Sequence, residues 1–173
     1  MRKIIFIVFI LSTILVASYF YINLGGAEKI NFQYLESQDY TIIGKGFKGR
    51  YSDPKLETIF YETRDYLLNG EMSGNLVVIN KGDDVDALQV DQIIGILIQG
   101  EENVIPEGYE KISMTNKKVV RAKLTSHNFV MKNPEDVRLS ATQFSDSLKL
   151  RLSNVTIEQY LSDRELYVDY IIE

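Results

Sequence analysis

The pair Glu158 and Tyr160 is the part of this chain best suited to chemistry. The two residues lie two positions apart in the apolar run 157–161, which predicts a strand, and alternate residues of a strand share a face. Such a pair can hold a cation, or it can act on water with the carboxylate as general base. A carboxylate buried without a partner is costly, so in a cleft Glu158 needs a donor, a cation or a ligand. On an exposed face Glu158 would simply be solvated, and the residues alone leave both alternatives open.

Other residue types argue against several kinds of site. The chain has one histidine, His127, and no cysteine, so we expect a surface histidine and no metal site. We expect no cofactor either, because Gly44, Gly46 and Gly49 do not have the spacing of a dinucleotide-binding loop. The net charge is −5 and no basic stripe is present, so nucleic acid is not an expected partner.

The elements that would position Glu158 occur twice. Residues 88–94 read Leu-Gln-Val-Asp-Gln-Ile-Ile and residues 166–172 read Leu-Tyr-Val-Asp-Tyr-Ile-Ile, with five of seven positions identical. Asp53-Pro54 and Asn133-Pro134 each precede a helical pattern, and an Asx cap followed by proline is a helix start signal. Chance similarity between apolar strands is the alternative, but the shared order, caps and spacing favour an internal duplication. Duplicated units leave a cleft at their pseudo-twofold axis, where a small molecule can bind.

Each half is predicted to run strand–helix–strand–strand, which makes the fold class α+β. Two such βαββ-type halves would form one curved antiparallel sheet with two helices and a central cleft. An additional strand near residues 109–114 would join the halves, and turns are expected at 81–84 and 162–163. The predicted domain organisation is an anchor at 1–27, a linker at 28–39 and a domain at 40–173, with halves at roughly 40–103 and 109–173.

The two copies differ where the chemistry lies. In the predicted alignment, Val77 and Ile79 of the first copy correspond to Glu158 and Tyr160 of the second. The second copy therefore carries a carboxylate and a phenol where the first carries an apolar pair. This contrast favours a functional role for Glu158.

The N-terminal segment is almost continuously apolar from residue 4 to residue 22, behind Arg2 and Lys3. That length matches a membrane-spanning helix, and Tyr19, Phe20 and Tyr21 suit the interface at its far end. A cleaved signal peptide is the alternative, although its apolar core is normally shorter. We therefore predict a single-pass membrane protein with its amino end in the cytoplasm and its soluble domain outside.

A family resemblance adds to this interpretation. Residues 157–163, Ile-Glu-Gln-Tyr-Leu-Ser-Asp, followed by residues 165–172, resemble the C-terminal signature of GyrI-like small-molecule-binding domains, which are also the effector-binding domains of AraC-type regulators. Residues 104–110 look like the link between halves in that family, and residues 47–51 resemble its segment before the first helix. The resemblance covers nearly all of the predicted soluble part.

The resemblance implies a ligand cleft with Glu158 as its glutamate and Tyr160 as the neighbouring aromatic residue. Tyr51, Phe47 and Phe129 are further candidates for the cleft lining, with core packing as the alternative for each. Many relatives carry a Gly-x-Tyr segment where this chain has residues 126–129, Ser-His-Asn-Phe. Relatives are often fused to a DNA-binding domain, but here the apolar segment occupies the N-terminus. We therefore do not expect this chain to control transcription itself.

Three functions follow from these observations. The first is a membrane-anchored domain that binds a cationic or aromatic small molecule at Glu158, for sensing or sequestration. The second is a hydrolase of reactive small molecules, with Glu158 as general base and Tyr160 orienting the water. The third is a protein-interaction module without a ligand. We expect binding rather than catalysis, so no residue is assigned a catalytic role outside the second alternative.

Overall fold

Two βαββ units follow one another behind an N-terminal helix. The computed structural model describes residues 2–84, 89–98, 100 and 104–173. The elements are α1 (Arg2–Asn23), β1 (Asn31–Arg50), α2 (Pro54–Leu68), β2 (Gly74–Asp84), β3 (Gln89–Ile98), β4 (Glu110–Leu124), α3 (Pro134–Ser147), β5 (Leu152–Ser162) and β6 (Glu165–Ile172), with a 3-10 turn at Asn128–Val130. Leu88, which begins the repeated segment, and residues 101–103, which end the first predicted half, lie outside the described residues.

The six strands form one antiparallel sheet that curves until it closes. The strand order is β1-β3-β2-β5-β6-β4, and β1 pairs with both β3 and β4. The halves therefore meet along two seams, β1 with β4 and β2 with β5. The α+β fold class and the curved antiparallel sheet are confirmed.

Both helices of the sheet domain begin where the sequence predicts. The Asp53 carboxylate accepts a hydrogen bond from the Lys55 amide at 2.9 Å, and the Asn133 side chain accepts one from the Glu135 amide at 3.1 Å. Each cap is followed by proline at the first helical position. Capping of this kind contributes about 1 kcal/mol per helix.

The sheet separates an interior core from two outer cores. Residues on one face fill the inside of the barrel, namely Tyr40, Ile42, Val77, Ile79, Ile93 and Ile157. On the other face α2 packs Ile59 against β1, β2 and β3, and α3 packs Val137 and Ala141 against β4 and β6. In the strand order β5 lies between β2, which α2 covers, and β6, which α3 covers, so β5 runs between the two outer cores.

The segment predicted as a linker is part of the sheet. Residues 31–39 form the first half of β1, and Asn31 to Leu35 pair with Lys123 to Val119 of β4. Phe32 and Tyr34 alternate with polar residues here and are half-buried, and the Phe32 ring stacks on Phe144 of α3, so this stretch has the alternation of a strand with one covered face.

Two further strand boundaries differ from the prediction. The separate strands expected at 109–114 and 118–125 are one strand, β4, which bends at Asn116 with φ 53° while the Asn116 amide donates to the Asp39 carboxylate at 2.7 Å. The turn expected at 81–84 lies within β2, where the register shifts between Asn80 and Asp83 and Gly82 adopts φ 110°. Asparagine and glycine tolerate positive φ, so these positions bend strands without ending them.

Candidate ligand site

Glu158 and Tyr160 lie on the outer face of the sheet, between the two helices. Glu158 is opposite Val78 of β2 on one side and Val168 of β6 on the other. Both site residues are half-buried. Glu158 thus stands in an apolar row at the centre of the duplicated structure.

Both carboxylate oxygens of Glu158 accept hydrogen bonds from neutral donors. The Asn80 amide donates to Oε1 at 2.9 Å, and the Tyr160 hydroxyl donates to Oε2 at 2.8 Å. Asn80 is itself held by Gln92, whose amide donates to Asn80 Oδ1 at 2.6 Å. The Glu158 carboxylate is therefore held in place through both of its oxygens, by one residue of β2 and one of β5.

Tyr160 joins the two outer cores. Its ring meets Phe60 of α2 edge to face, with centroids 6.5 Å apart, and it also packs against the core beneath α3. Burial raises the pKa of Tyr160, and the charge of Glu158, the hydrogen bond to it and the neighbouring Tyr51 raise it further. The phenol therefore stays protonated and remains a donor to Glu158 at physiological pH.

Tyr170 of β6 belongs to the same neighbourhood and was not singled out by the sequence. It is opposite Thr156 of β5 and is buried at 3% exposure. Burial raises its pKa to about 12, with Arg138 lowering it and Glu158 raising it. The signal was the repeated segment itself, because Tyr170 occupies the position that Gln92 has in the first copy, one of the two positions that differ.

The predicted correspondence between the two copies is wrong. Val77 and Ile79 are fully buried in the barrel interior, whereas Glu158 and Tyr160 are on the outer face. The residues paired with Glu158 and Tyr160 across the seam are Val78 and Leu76. A shift of one residue along a strand reverses the face of every side chain.

The other three predicted site residues occupy different environments. Phe47 is buried at 7% exposure in the core beneath α2. Tyr51 is exposed just after β1, and its phenol is near enough to affect the pKa of Tyr160. Phe129 is 87% exposed in the 3-10 turn, and its ring stacks on His127 with centroids 5.0 Å apart.

A second polar cluster lies inside the barrel and was missed entirely. Asp169 is fully buried and accepts two hydrogen bonds from Arg121, at 2.7 Å each. The Tyr40 hydroxyl donates to the same carboxylate at 2.7 Å and the Gln159 amide at 2.6 Å. The four residues come from β1, β4, β5 and β6, so the cluster ties both halves together.

Two cavities lie away from Glu158. One of about 470 Å³ is at the end of α2, lined by Tyr66, Glu71, Met72, Val104, Pro106 and Glu107. The other, of about 10 Å³, lies beside the end of α1. Within residues 2–84, 89–98, 100 and 104–173, no group of three or more acidic or histidine side chains is placed to hold a metal ion.

The fold is shared with solved proteins of very low sequence identity. EcmrR in its DNA complex matches with TM-score 0.60 and 8% identity over 99% of this chain and 69% of that one. The C-terminal domain of EcmrR matches with TM-score 0.55 and 7% identity over 84% of this chain and 97% of that one. SAV2435 bound to tetraphenylphosphonium matches with TM-score 0.50 and 8% identity over 84% of this chain and 94% of that one. A hydrolase from Listeria innocua matches with TM-score 0.55 and 10% identity over 83% and 92%.

No protein-family model and no curated protein matches the sequence. The structural neighbours show the fold of this chain, and that fold agrees with the resemblance to GyrI-like domains found in the sequence. At its N-terminus, Lys3–Asn23 is long and apolar enough to be a membrane span or a signal sequence, with mean hydropathy 2.4 and no buried residues.

Proposed function

We propose that this protein is a membrane-anchored domain that binds a lipophilic organic cation at Glu158. The observation that carries the proposal is the half-buried carboxylate of Glu158, held by Asn80 and Tyr160 between two helices. SAV2435, which has the same fold, is bound to tetraphenylphosphonium, a cation of this kind.

The aromatic residues around Glu158 supply the second part of the recognition. Tyr160 and Phe60 offer ring surface, and a cation over such a ring gains about 0.5–2 kcal/mol. We expect a bulky ligand at Glu158 to displace Tyr160, which donates to the carboxylate, together with Phe60, whose ring contacts that of Tyr160. Side-chain rearrangement of this size is common when a binding site is filled.

The test is calorimetric titration of the full chain in detergent with tetraphenylphosphonium. We expect Glu158→Gln to weaken binding by at least about tenfold, which is 1.4 kcal/mol, because the carboxylate charge is lost and the shape is kept. Tetraphenylborate, which has nearly the same shape and the opposite charge, should not bind the wild type.

The chain offers a matched control for this experiment. Glu165 of β6 also accepts a hydrogen bond from a tyrosine two positions on, since the Tyr167 hydroxyl donates to it at 2.8 Å. Glu165→Gln should leave binding unchanged. Equal affinity for tetraphenylphosphonium in the wild type and in Glu158→Gln would refute the proposed role of Glu158.

The proposed location is a single membrane span, α1, with the sheet domain outside the cytoplasm. Arg2 and Lys3 are the first two residues of α1, and positive charge is retained on the cytoplasmic side. Protease added to intact cells should therefore digest the domain, and the mass of the purified protein should include residues 1–27. Loss of that segment would identify α1 as a cleaved signal sequence.

Hydrolysis is a second candidate function. A structural neighbour from Listeria innocua is a hydrolase, and we propose that Glu158, with the Tyr160 hydroxyl bonded to it, could activate a water molecule. Incubation of bound compounds with the protein, followed by mass spectrometry, should then give products that Glu158→Gln does not form. A folded wild type that binds no compound would instead favour a role in protein contacts.

The net charge of −5 leads us to propose no direct contact with nucleic acid in any of these roles.

A further inference from the structure

The most exposed aromatic side chain of the sheet domain lies beside the end of α1. Phe129 is 87% exposed, within the loop of residues 125–132 that connects β4 to α3. Single exposed aromatic residues are common on protein surfaces. The position of Phe129 next to the end of α1, however, indicates an interaction surface.

The loop is fastened to the chain that leaves α1. The His127 amide donates to the Leu24 carbonyl at 2.8 Å, directly after α1 ends at Asn23. Gly25, with φ 83°, lies so close to Thr125 and Ser126 that a Cβ atom there would be 2.7 Å from the Thr125 carbonyl oxygen. The 10 Å³ cavity lies between the same two segments. Phe129 is therefore held near the helix exit rather than on a freely moving loop.

The helix exit coincides with the expected surface of a bilayer. The 22 residues of α1 extend about 33 Å, close to the roughly 30 Å of a hydrocarbon core. Tyr19 and Tyr21 near its end have the aromatic character found at membrane interfaces. If α1 spans the membrane, residues 24–26 and the loop fastened to them lie at the headgroup level.

The charges near the loop fit that position. Lys29 and Lys132 line the small cavity and are both exposed, against the single carboxylate of Glu28. Exposed lysines beside a bilayer are attracted to anionic headgroups. An aromatic ring next to lysines is the combination that binds at a membrane interface.

We propose that the loop of residues 125–132 is a second membrane contact, with the Phe129 ring inserted into the interface of the bilayer that α1 crosses. This proposal rests on α1 being a membrane span. It assigns Phe129 to the lipid surface instead of the ligand cleft, and it fixes the orientation of the sheet domain on the membrane.

The absence of tryptophan from this chain makes the test direct. The full chain carrying Phe129→Trp is reconstituted in phosphatidylcholine vesicles with and without brominated acyl chains. We expect a blue-shifted emission that is quenched by the brominated lipid and protected from iodide in the aqueous phase. Phosphatidylglycerol should strengthen the quenching, and Lys29→Gln with Lys132→Gln should remove that increase.

Two further single-tryptophan variants separate the possible outcomes. Tyr61→Trp, at a position on α2 that is 49% exposed, should be quenched by iodide and not by brominated lipid. Leu11→Trp, in the middle of α1, should be quenched by brominated lipid only. If Phe129→Trp behaves like Tyr61→Trp while Leu11→Trp is quenched by lipid, the loop contact is refuted and the span stands. If Leu11→Trp is not quenched by lipid, the span fails and the loop contact fails with it.

Discussion

The environment of the Glu158 carboxylate depends on Tyr160, which lies two residues away. Tyr160 donates to the carboxylate with its hydroxyl and presents its ring between two helix-covered cores. In the proposed cation site these are separate contributions, since the hydrogen bond would position the carboxylate and the ring would offer a surface to the cation.

Substitutions at Tyr160 should separate these two contributions. Tyr160→Phe keeps the ring, so it should retain most of the affinity for tetraphenylphosphonium. Tyr160→Leu removes the ring and should weaken binding by about 2- to 30-fold, as expected for a lost cation–π contact. Titration calorimetry of both variants measures the difference, and equal losses would show that the ring does not contact the cation.

At the scale of elements, the aspartates of the repeated Val-Asp pair in β3 and β6 lie in two different environments. Asp169 is fully buried in a bidentate pair with Arg121, which is 15% exposed. Its counterpart Asp91 pairs at 3.6 Å with Lys48, which is 76% exposed. The same residue in the same repeat thus holds the barrel together in one half and lies at the surface in the other.

This asymmetry predicts unequal stability losses. Asp169→Ala leaves Arg121 buried without its partner, so the free energy of unfolding should fall by about 3–5 kcal/mol. Asp91→Ala removes a surface pair and should cost at most about 1 kcal/mol. Urea unfolding followed by circular dichroism measures both, and similar losses would contradict a structural role for the Asp169 cluster.

The helices and strands also show which structural features could be predicted from the sequence. Asp53 and Asn133 could be identified as helix caps because a cap depends on neighbours two residues away. The alternation of a strand likewise put Glu158 and Tyr160 on one face. The contacts of Asp169 could not be predicted, since Tyr40 is 129 positions away and the pairing depends on barrel closure. The alignment of the two copies failed because apolar strands carry no marker that distinguishes registers one residue apart.

For the whole molecule, tyrosines whose pKa is raised by burial should limit stability at high pH. Burial raises the pKa of Tyr40 and Tyr160, and it raises the pKa of Tyr170 to about 12. An unfolded tyrosine ionises near pH 10, so above that value the unfolded chain loses protons that the folded chain keeps. Stability is therefore complete below about pH 10 and falls above it, by up to about 1.4 kcal/mol per pH unit for each tyrosine.

The measurement is urea unfolding of the full chain in detergent between about pH 9 and pH 12. Tyr170→Phe should make the decline with pH shallower, because one ionising group is removed from the unfolded state. A decline that is identical in the wild type and in Tyr170→Phe would exclude Tyr170 as a source.

The closed ring of two similar halves also determines how many charges the site contains. Two identical chains pairing along the β2–β5 seam would place a carboxylate on each side of their axis, on adjacent strands whose side chains are about 5 Å apart. In this chain the two halves differ in sequence, and Val78 is opposite Glu158. The proposed cation site therefore has one carboxylate at this pair, and the expected stoichiometry is one singly charged cation per polypeptide.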